Sequence, residues 1–258
     1  MAADSNNREQ DDTPVMTFWD HLEELRGRLI KALLFVTGGL CIAYFFVPTV
    51  QDLLIETFFP GEGTPLAYLA PTEGFIVRLK LALAGGLLLA SPAVFYQFWR
   101  FVAPGLYPKE RRFVIPVVLT STFSFLAGAA FSFLVLPYAT RFFLSFGGEQ
   151  IVNAWSFGKY VDFVVRIMLA FGLVFELPLV IYFLARLGIV TPEFLRGKRR
   201  YAIIIFMILA AVITPPDIFT MIVLTVPLII LYELSIFIAV FAYKKYQKEQ
   251  ALPVRGSS

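Results

Sequence analysis

Residues 100–137 read RFVAPGLYPKERRFVIPVVLTSTFSFLAGAAFSFLVLP. The first part carries Arg100, Lys109, Arg111 and Arg112, and the run 113–137 that follows holds no charged residue. An apolar run of about 20 residues is long enough to cross a bilayer as a helix. Short loops rich in Lys and Arg beside such runs stay in the cytoplasm. Five more apolar stretches lie at 29–50, 75–98, 160–187, 201–213 and 218–243. Alternate connections repeat the basic pattern: Arg26, Arg28 and Lys31; Arg186, Arg196, Lys198, Arg199 and Arg200; Lys244, Lys245, Lys248 and Arg255. The other connections hold none between 48 and 75, Arg141 and Lys159 in the third-to-fourth loop, and none in 214–217. Four loops therefore agree on an all-α polytopic membrane protein with six transmembrane helices and both termini cytoplasmic.

Composition points the same way. Hydrophobic residues are 58% and charged residues 16% of 258, against about 45–50% and 25% in soluble domains. The net charge of +3 then reports topology, and the cluster Lys198–Arg200 reads as an inside-loop anchor with no call on nucleic acid. The single cysteine, Cys41, makes no internal disulfide or cysteine-based metal site. The single histidine, His21, leaves no multi-histidine metal site or bis-histidine haem. No GxxxxGK[ST] run is present, which argues against nucleotide hydrolysis. Neither a metal nor a cofactor is expected, and no catalytic residues stand out. Residues 1–15 are polar and acid-leaning, unlike a secretory signal or an Arg-rich transit peptide. The organisation expected is a disordered cytoplasmic tail at 1–16, a membrane domain at 17–243 and a cytoplasmic tail at 244–258, whose final Gly256–Ser258 has the look of an added remnant.

Thr17 and Asp20 are spaced as a capping box. Phe18, Leu22, Leu25 and Leu29 then recur at helical spacing, so an amphipathic interfacial helix is expected. It either bends into the first span or continues as its inner end. The loop after Pro48, about 25 residues with Asp52, Glu56, Glu62 and Glu73, and the third-to-fourth loop with Gly147-Gly148 are long enough to form an outer cap. The last outer connection is the tight turn 214–217, where Asp217 suits a helix N-cap. Segment 201–213 would rise only about 20 Å as a helix, against a hydrocarbon core of about 30 Å. With the sixth segment it is expected to form a short hairpin that thins the membrane. Prolines at 92, 116, 178 and 227, with 48 and 137 at span ends, either kink the helices into a concave bundle or are simply tolerated.

Charges inside the spans are candidates for function. Glu176 is ten residues before Arg186, about 15 Å along a helix and so near mid-bilayer. A carboxyl there costs about 2.5–3.5 kcal/mol on insertion scales and is by default functional; the plain alternative is a protonated side chain bonded to a neighbouring helix. Asp162 and Arg166 are one turn apart and read as a local ion pair. Arg78 and Lys80 read as snorkelling residues. Glu233 has no clear reading. Two inside carboxylates lie among basic residues: Glu24, spaced for an i,i+4 pair with Arg28, and Glu110, in the first turn after Pro108, where an acid suits the helix dipole. Each also fits a binding role.

The blocks HLEELRGRL, SPAVFYQFWRFVAPGLYPKERR, AFGLVFELP and TPPD, in that order along the chain, resemble the TatC family, receptor subunits of the twin-arginine protein translocase. The resemblance covers essentially the whole chain. It implies a bacterial cytoplasmic (inner) membrane receptor, not an enzyme, for twin-arginine signal peptides on folded cargo. It also implies partners of the TatA-like and TatB-like single-span class, a homo-oligomer within the translocase, and export driven by the proton-motive force. By resemblance, Glu24 and Glu110 match the acidic pair that receives the arginines. Arg26, Phe101, Pro104, Leu106 and Tyr107 match the surrounding inside motif, Glu176 the intramembrane acid, and Asp217 the acid of the last outer turn. The family is shaped like a cupped hand and often has Gln four residues after that Asp, where this chain has Met221. A fork of guanidinium donors fits a carboxylate bidentately, so two arginines call for two carboxylates. The rival reading is a secondary transporter or proton channel relaying through Glu176, which inverted repeats would support; none is visible. A lipid-modifying enzyme is a weaker rival, since no catalytic cluster is present.

Overall fold

A computed structural model describes residues 18–58, 66–102, 114–146, 155–213 and 217–250. Thr17, residues 59–65, Pro104, Leu106, Tyr107, Pro108, Glu110, Gly147-Gly148, residues 214–216 and both tails (1–16 and 251–258), on which the sequence also carries expectations, lie outside them.

The first helix, α1 (Phe18–Phe58), is a single run of 41 residues. The amphipathic start therefore continues directly into the first span. The helix also passes through Pro48, so residues expected in the outer loop are helical. The reason is a buried stripe, Val47, Gln51, Leu54 and Phe58, spaced at i, i+4, i+7, i+11. Packing of that stripe offsets the backbone bond that Pro48 cannot make. At 1.5 Å per residue α1 is about 60 Å long and extends beyond a core of about 30 Å.

Helix α2 (Glu73–Val102) runs back alongside α1. Gly39 and Gly86 set their distance: a Cβ at Gly86 would lie 2.4 Å from the Leu40 backbone nitrogen, and one at Gly39 2.5 Å from the Gly86 carbonyl oxygen. Small residues let membrane helices approach backbone to backbone. Helix α3 (Val114–Leu144) packs on α2 and on α4 (Phe157–Val174).

The fourth apolar segment is interrupted. Helix α4 stops at Val174 and α5 (Leu177–Arg186) begins three residues later, with Pro178 in its first turn. Proline lacks the N–H that would have bonded the Val174 carbonyl, which breaks the ladder there. Gly188, at φ 72°, turns the chain after α5. The short α6 (Pro192–Gly197) is capped by the Thr191 hydroxyl, which accepts from Phe194 N at 3.1 Å. Helix α7 (Arg199–Ile213) has 15 residues, and α8 (Ile218–Gln250) has 33. Shortness thus belongs to the fifth segment alone: the sixth is not short, because its helix continues through its basic end.

Five helical runs among the described residues are long and apolar enough to cross a membrane: Trp19–Phe58, Glu73–Val102, Val114–Leu144, Phe157–Arg186 and Ile218–Lys248. The chain is a multi-pass membrane protein. The core runs through these helices and joins Val47, Leu136, Ile167, Ala185 and Leu228.

One ion pair differs from expectation, and one gives Glu233 a partner. Asp162 does not pair with Arg166; its carboxylate accepts from Lys80 across the α2–α4 contact. Lys80 accordingly turns to a neighbouring helix instead of snorkelling. Helix packing placed a second cation on the face that Asp162 presents, which spacing along one helix cannot reveal. Glu233 accepts from Arg199 Nη2 at 2.7 Å, tying α8 to the start of α7.

Candidate functional site

Glu24 lies on the first turns of α1. Its Oε1 accepts from Arg28 Nε at 2.9 Å and also from Arg28 Nη2. The local i,i+4 pair foreseen from the sequence is therefore formed. Its second oxygen, Oε2, is buried and has no hydrogen-bond partner among the described residues. One half of the carboxylate is thus committed and the other is not. One turn earlier, His21 stacks on Phe101 with ring centroids 4.4 Å apart and planes 18° apart. That stack brings the start of α1 against the last turn of α2, the helix that leads into the segment containing Glu110. Arg26, between Glu24 and Arg28 in sequence, is described; Pro104, Leu106, Tyr107 and Glu110 are not.

Glu176 stands at the break between α4 and α5. It is 8% exposed, and it occupies the N-cap position of α5 without making a side-chain cap bond. Its Oε1 has no hydrogen-bond partner among the described residues, and the Ser121 hydroxyl of α3 lies beside the carboxyl. Ser121 in turn accepts from Trp99 Nε1 at 2.7 Å. Trp99, Ser121 and Glu176 thus form a buried polar line across α2, α3 and the α4–α5 break. Sequence reasoning found Glu176 but not its neighbours: a serine and a tryptophan in an apolar run carry no signal until three helices bring them together.

At the other end of the helices, the described parts of the α1–α2 and α3–α4 connections meet. Strands β1 (Leu66–Ala67) and β2 (Trp155–Ser156) pair in parallel. Glu73, at the start of α2, holds them. Its Oε2 accepts from Leu69 N at 2.5 Å and Ala70 N at 3.2 Å. Its Oε1 accepts from Gly158 N at 2.8 Å and from the Ser156 hydroxyl. A carboxylate receiving main-chain N–H groups from the segment after β1 and from the first turn of α4 is a clamp, and Glu73 was legible only as one acid of the loop after Pro48. Asp217 caps α8: Oδ1 accepts from Thr220 N at 2.7 Å and Oδ2 from the Thr220 hydroxyl. Met221 lies one residue beyond Thr220 and packs beside the core. Among the described residues no group of His, Cys, Asp and Glu is placed to hold a metal.

Comparison with known proteins settles the family. The model of the family TatC, Sec-independent protein translocase protein, matches residues 20–227. The chain belongs to the TatC family. The Sec-independent protein translocase protein TatC of Desulforapulum autotrophicum is 46% identical over 248 residues, covering 95% of this chain and 91% of that one. The TatC protein of Aquifex aeolicus is 39% identical over 239 residues, covering 91% and 99%. A crystal structure described as the twin arginine translocase receptor TatC superposes with a TM-score of 0.76 at 40% identity, covering 86% of this chain and 99% of that one. The same receptor in the detergent DDM gives 0.78. As a TatC-family member the chain is a component of the Sec-independent, twin-arginine protein translocase, with a part in protein transport.

Proposed function

We propose that this chain is the signal-peptide receptor core of the translocase, and that Glu24 and Glu110 together receive the two arginines. Arg26, Phe101, Pro104, Leu106 and Tyr107 complete the signal-peptide site. Helix α7, completed by flanking residues, makes the sixth crossing, which puts both termini in the cytoplasm of a bacterial cell and the chain in its inner membrane. TatA-like and TatB-like single-span proteins dock on it, copies of the chain associate within the translocase, and transport runs on the proton-motive force with no catalysis by this chain. Glu176 is the polar contact inside the bilayer, and Asp217 orders the last outer turn.

The observation that carries this reading is the state of Glu24. Its carboxylate is half occupied by Arg28, and the buried Oε2 has no partner among the described residues. A guanidinium satisfies such a group with two donors, and a lysine ammonium lacks that fork. The His21–Phe101 stack supports the pairing with Glu110, because it sets α1 beside the end of α2 from which that loop departs. The test is equilibrium binding of a twin-arginine signal peptide to the purified chain. Glu24→Ala and Glu110→Ala should each weaken it, and wild-type binding by both variants would overturn the assignment.

A further inference from the structure

A cavity of about 470 Å³ lies between α3, α5 and α8, with Trp99 of α2 on its wall. That volume falls within the range of roughly 300–1,000 Å³ typical of ligand pockets. On α3 its lining runs from Val114 to Ser124, a rise of about 15 Å, or half of a hydrocarbon core of about 30 Å. Helix α5 lines it from Pro178 to Arg186, and α8 from Ile238 to Lys245. The directions of the three helices agree. Val114, Arg186 and Lys245 are at one end, the end of the basic loops; Ser124, Pro178 and Ile238 are at the other. The cavity therefore has the depth of one leaflet, mainly apolar walls and two cations from different helices at its mouth.

We propose that it is a binding site for one anionic phospholipid of the leaflet on the basic-loop side. An acyl chain lies along Val117, Leu179 and Phe183, and the phosphate sits between Arg186 and Lys245. Basic pockets between membrane helices on this side recognise anionic head groups through the same combination of charge and apolar depth. A zwitterionic lipid offers the chain without the net charge and fits the mouth less well. Among the described residues, neither Glu24 nor Glu176 lines it.

Trp99 is a reporter already in place. It is 7% exposed, so bulk lipid hardly reaches it, whereas a chain in the cavity touches it. A Trp19→Phe, Trp155→Phe chain leaves Trp99 as its only tryptophan. In phosphatidylcholine vesicles, phosphatidylglycerol with brominated acyl chains should quench Trp99 at a mole fraction roughly tenfold to thirtyfold lower than brominated phosphatidylcholine does. That is the preference expected from two juxtamembrane cations. Lys245→Gln, at an exposed helix end, should reduce that preference severalfold, and Arg186→Gln with Lys245→Gln should abolish it. Should the double variant fail to insert, Lys245→Gln alone still decides. Equal quenching by the two lipids, no quenching by either, or an undiminished preference in Lys245→Gln would each overturn the site. Equal lipid quenching together with displacement by an apolar peptide would assign the cavity to a peptide instead.

Discussion

Replacing Arg28 with alanine should strengthen the binding of a twin-arginine peptide. Arg28 holds Glu24 Oε1 through both Nε and Nη2, the same kind of contact an incoming guanidinium needs. The two side chains, Arg28 and Glu24, are 16% and 20% exposed. A fully exposed i,i+4 pair is worth about 0.3–0.5 kcal/mol, and a charged hydrogen bond away from water about 1.5–3 kcal/mol. A pair of intermediate burial presents about 1 kcal/mol of competition. Removing it should tighten the peptide by about fivefold, since 1.4 kcal/mol is tenfold. Arg28→Lys keeps the charge but loses the fork, so its effect should be smaller. Alanine is the better helix former, which offsets part of the i,i+4 pair that α1 loses. The assay is peptide fluorescence anisotropy on purified chain, with a twin-lysine peptide as the reference. Weaker or unchanged twin-arginine binding in Arg28→Ala would refute the competition and make Arg28 part of the recognition surface.

Glu176→Ala should leave the protein inserted but lower export, with Glu176→Gln milder if hydrogen bonding beside Ser121 is its role; wild-type export by the alanine variant would remove Glu176 from the mechanism. Gly86→Ala puts a Cβ 2.4 Å from the Leu40 backbone nitrogen, and such overpacking should destabilise by about 1–3 kcal/mol, read as earlier thermal unfolding in detergent; unchanged unfolding would mean that α1 and α2 are not held this close. In a Cys41→Ala background, cysteines at Ile204, Ile208 and Val212, which form one exposed face of α7, should crosslink to a single-span partner. Cysteines at the buried Phe206 and Ala210 should not, and crosslinking that ignores the two faces would contradict docking there.

What the sequence revealed was what lies along one element. Apolar runs flanked by basic loops gave the five membrane-length helices, the 3–4 spacing of Phe18 to Leu29 gave the helical start of α1, and the offset of four gave Glu24–Arg28. Asp217 beside a helix start gave a cap because its partner, Thr220, is three residues away. What lies between elements was not legible. Asp162 has an arginine one turn away, yet Lys80 on α2 takes its carboxylate. Glu73 reaches partners 83 and 85 residues further on, at Ser156 and Gly158. Trp99 and Ser121 become polar neighbours of Glu176 only once α2, α3 and the α4–α5 break are packed. Pro48 shows the reverse: a residue that usually ends a helix is carried through by a buried stripe on either side of it.

The central claim is that a pair of carboxylates, Glu24 and Glu110, reads the arginine fork. The most direct measurement is the ratio of affinities for twin-arginine and twin-lysine peptides, in the wild-type chain and in Glu24→Ala, Glu110→Ala. The peptides carry the same charge, so the ratio isolates the fork from simple attraction. In the wild-type chain it should favour arginine, and in the double variant it should fall towards one. A double variant that keeps the wild-type preference would show that the arginines are read elsewhere.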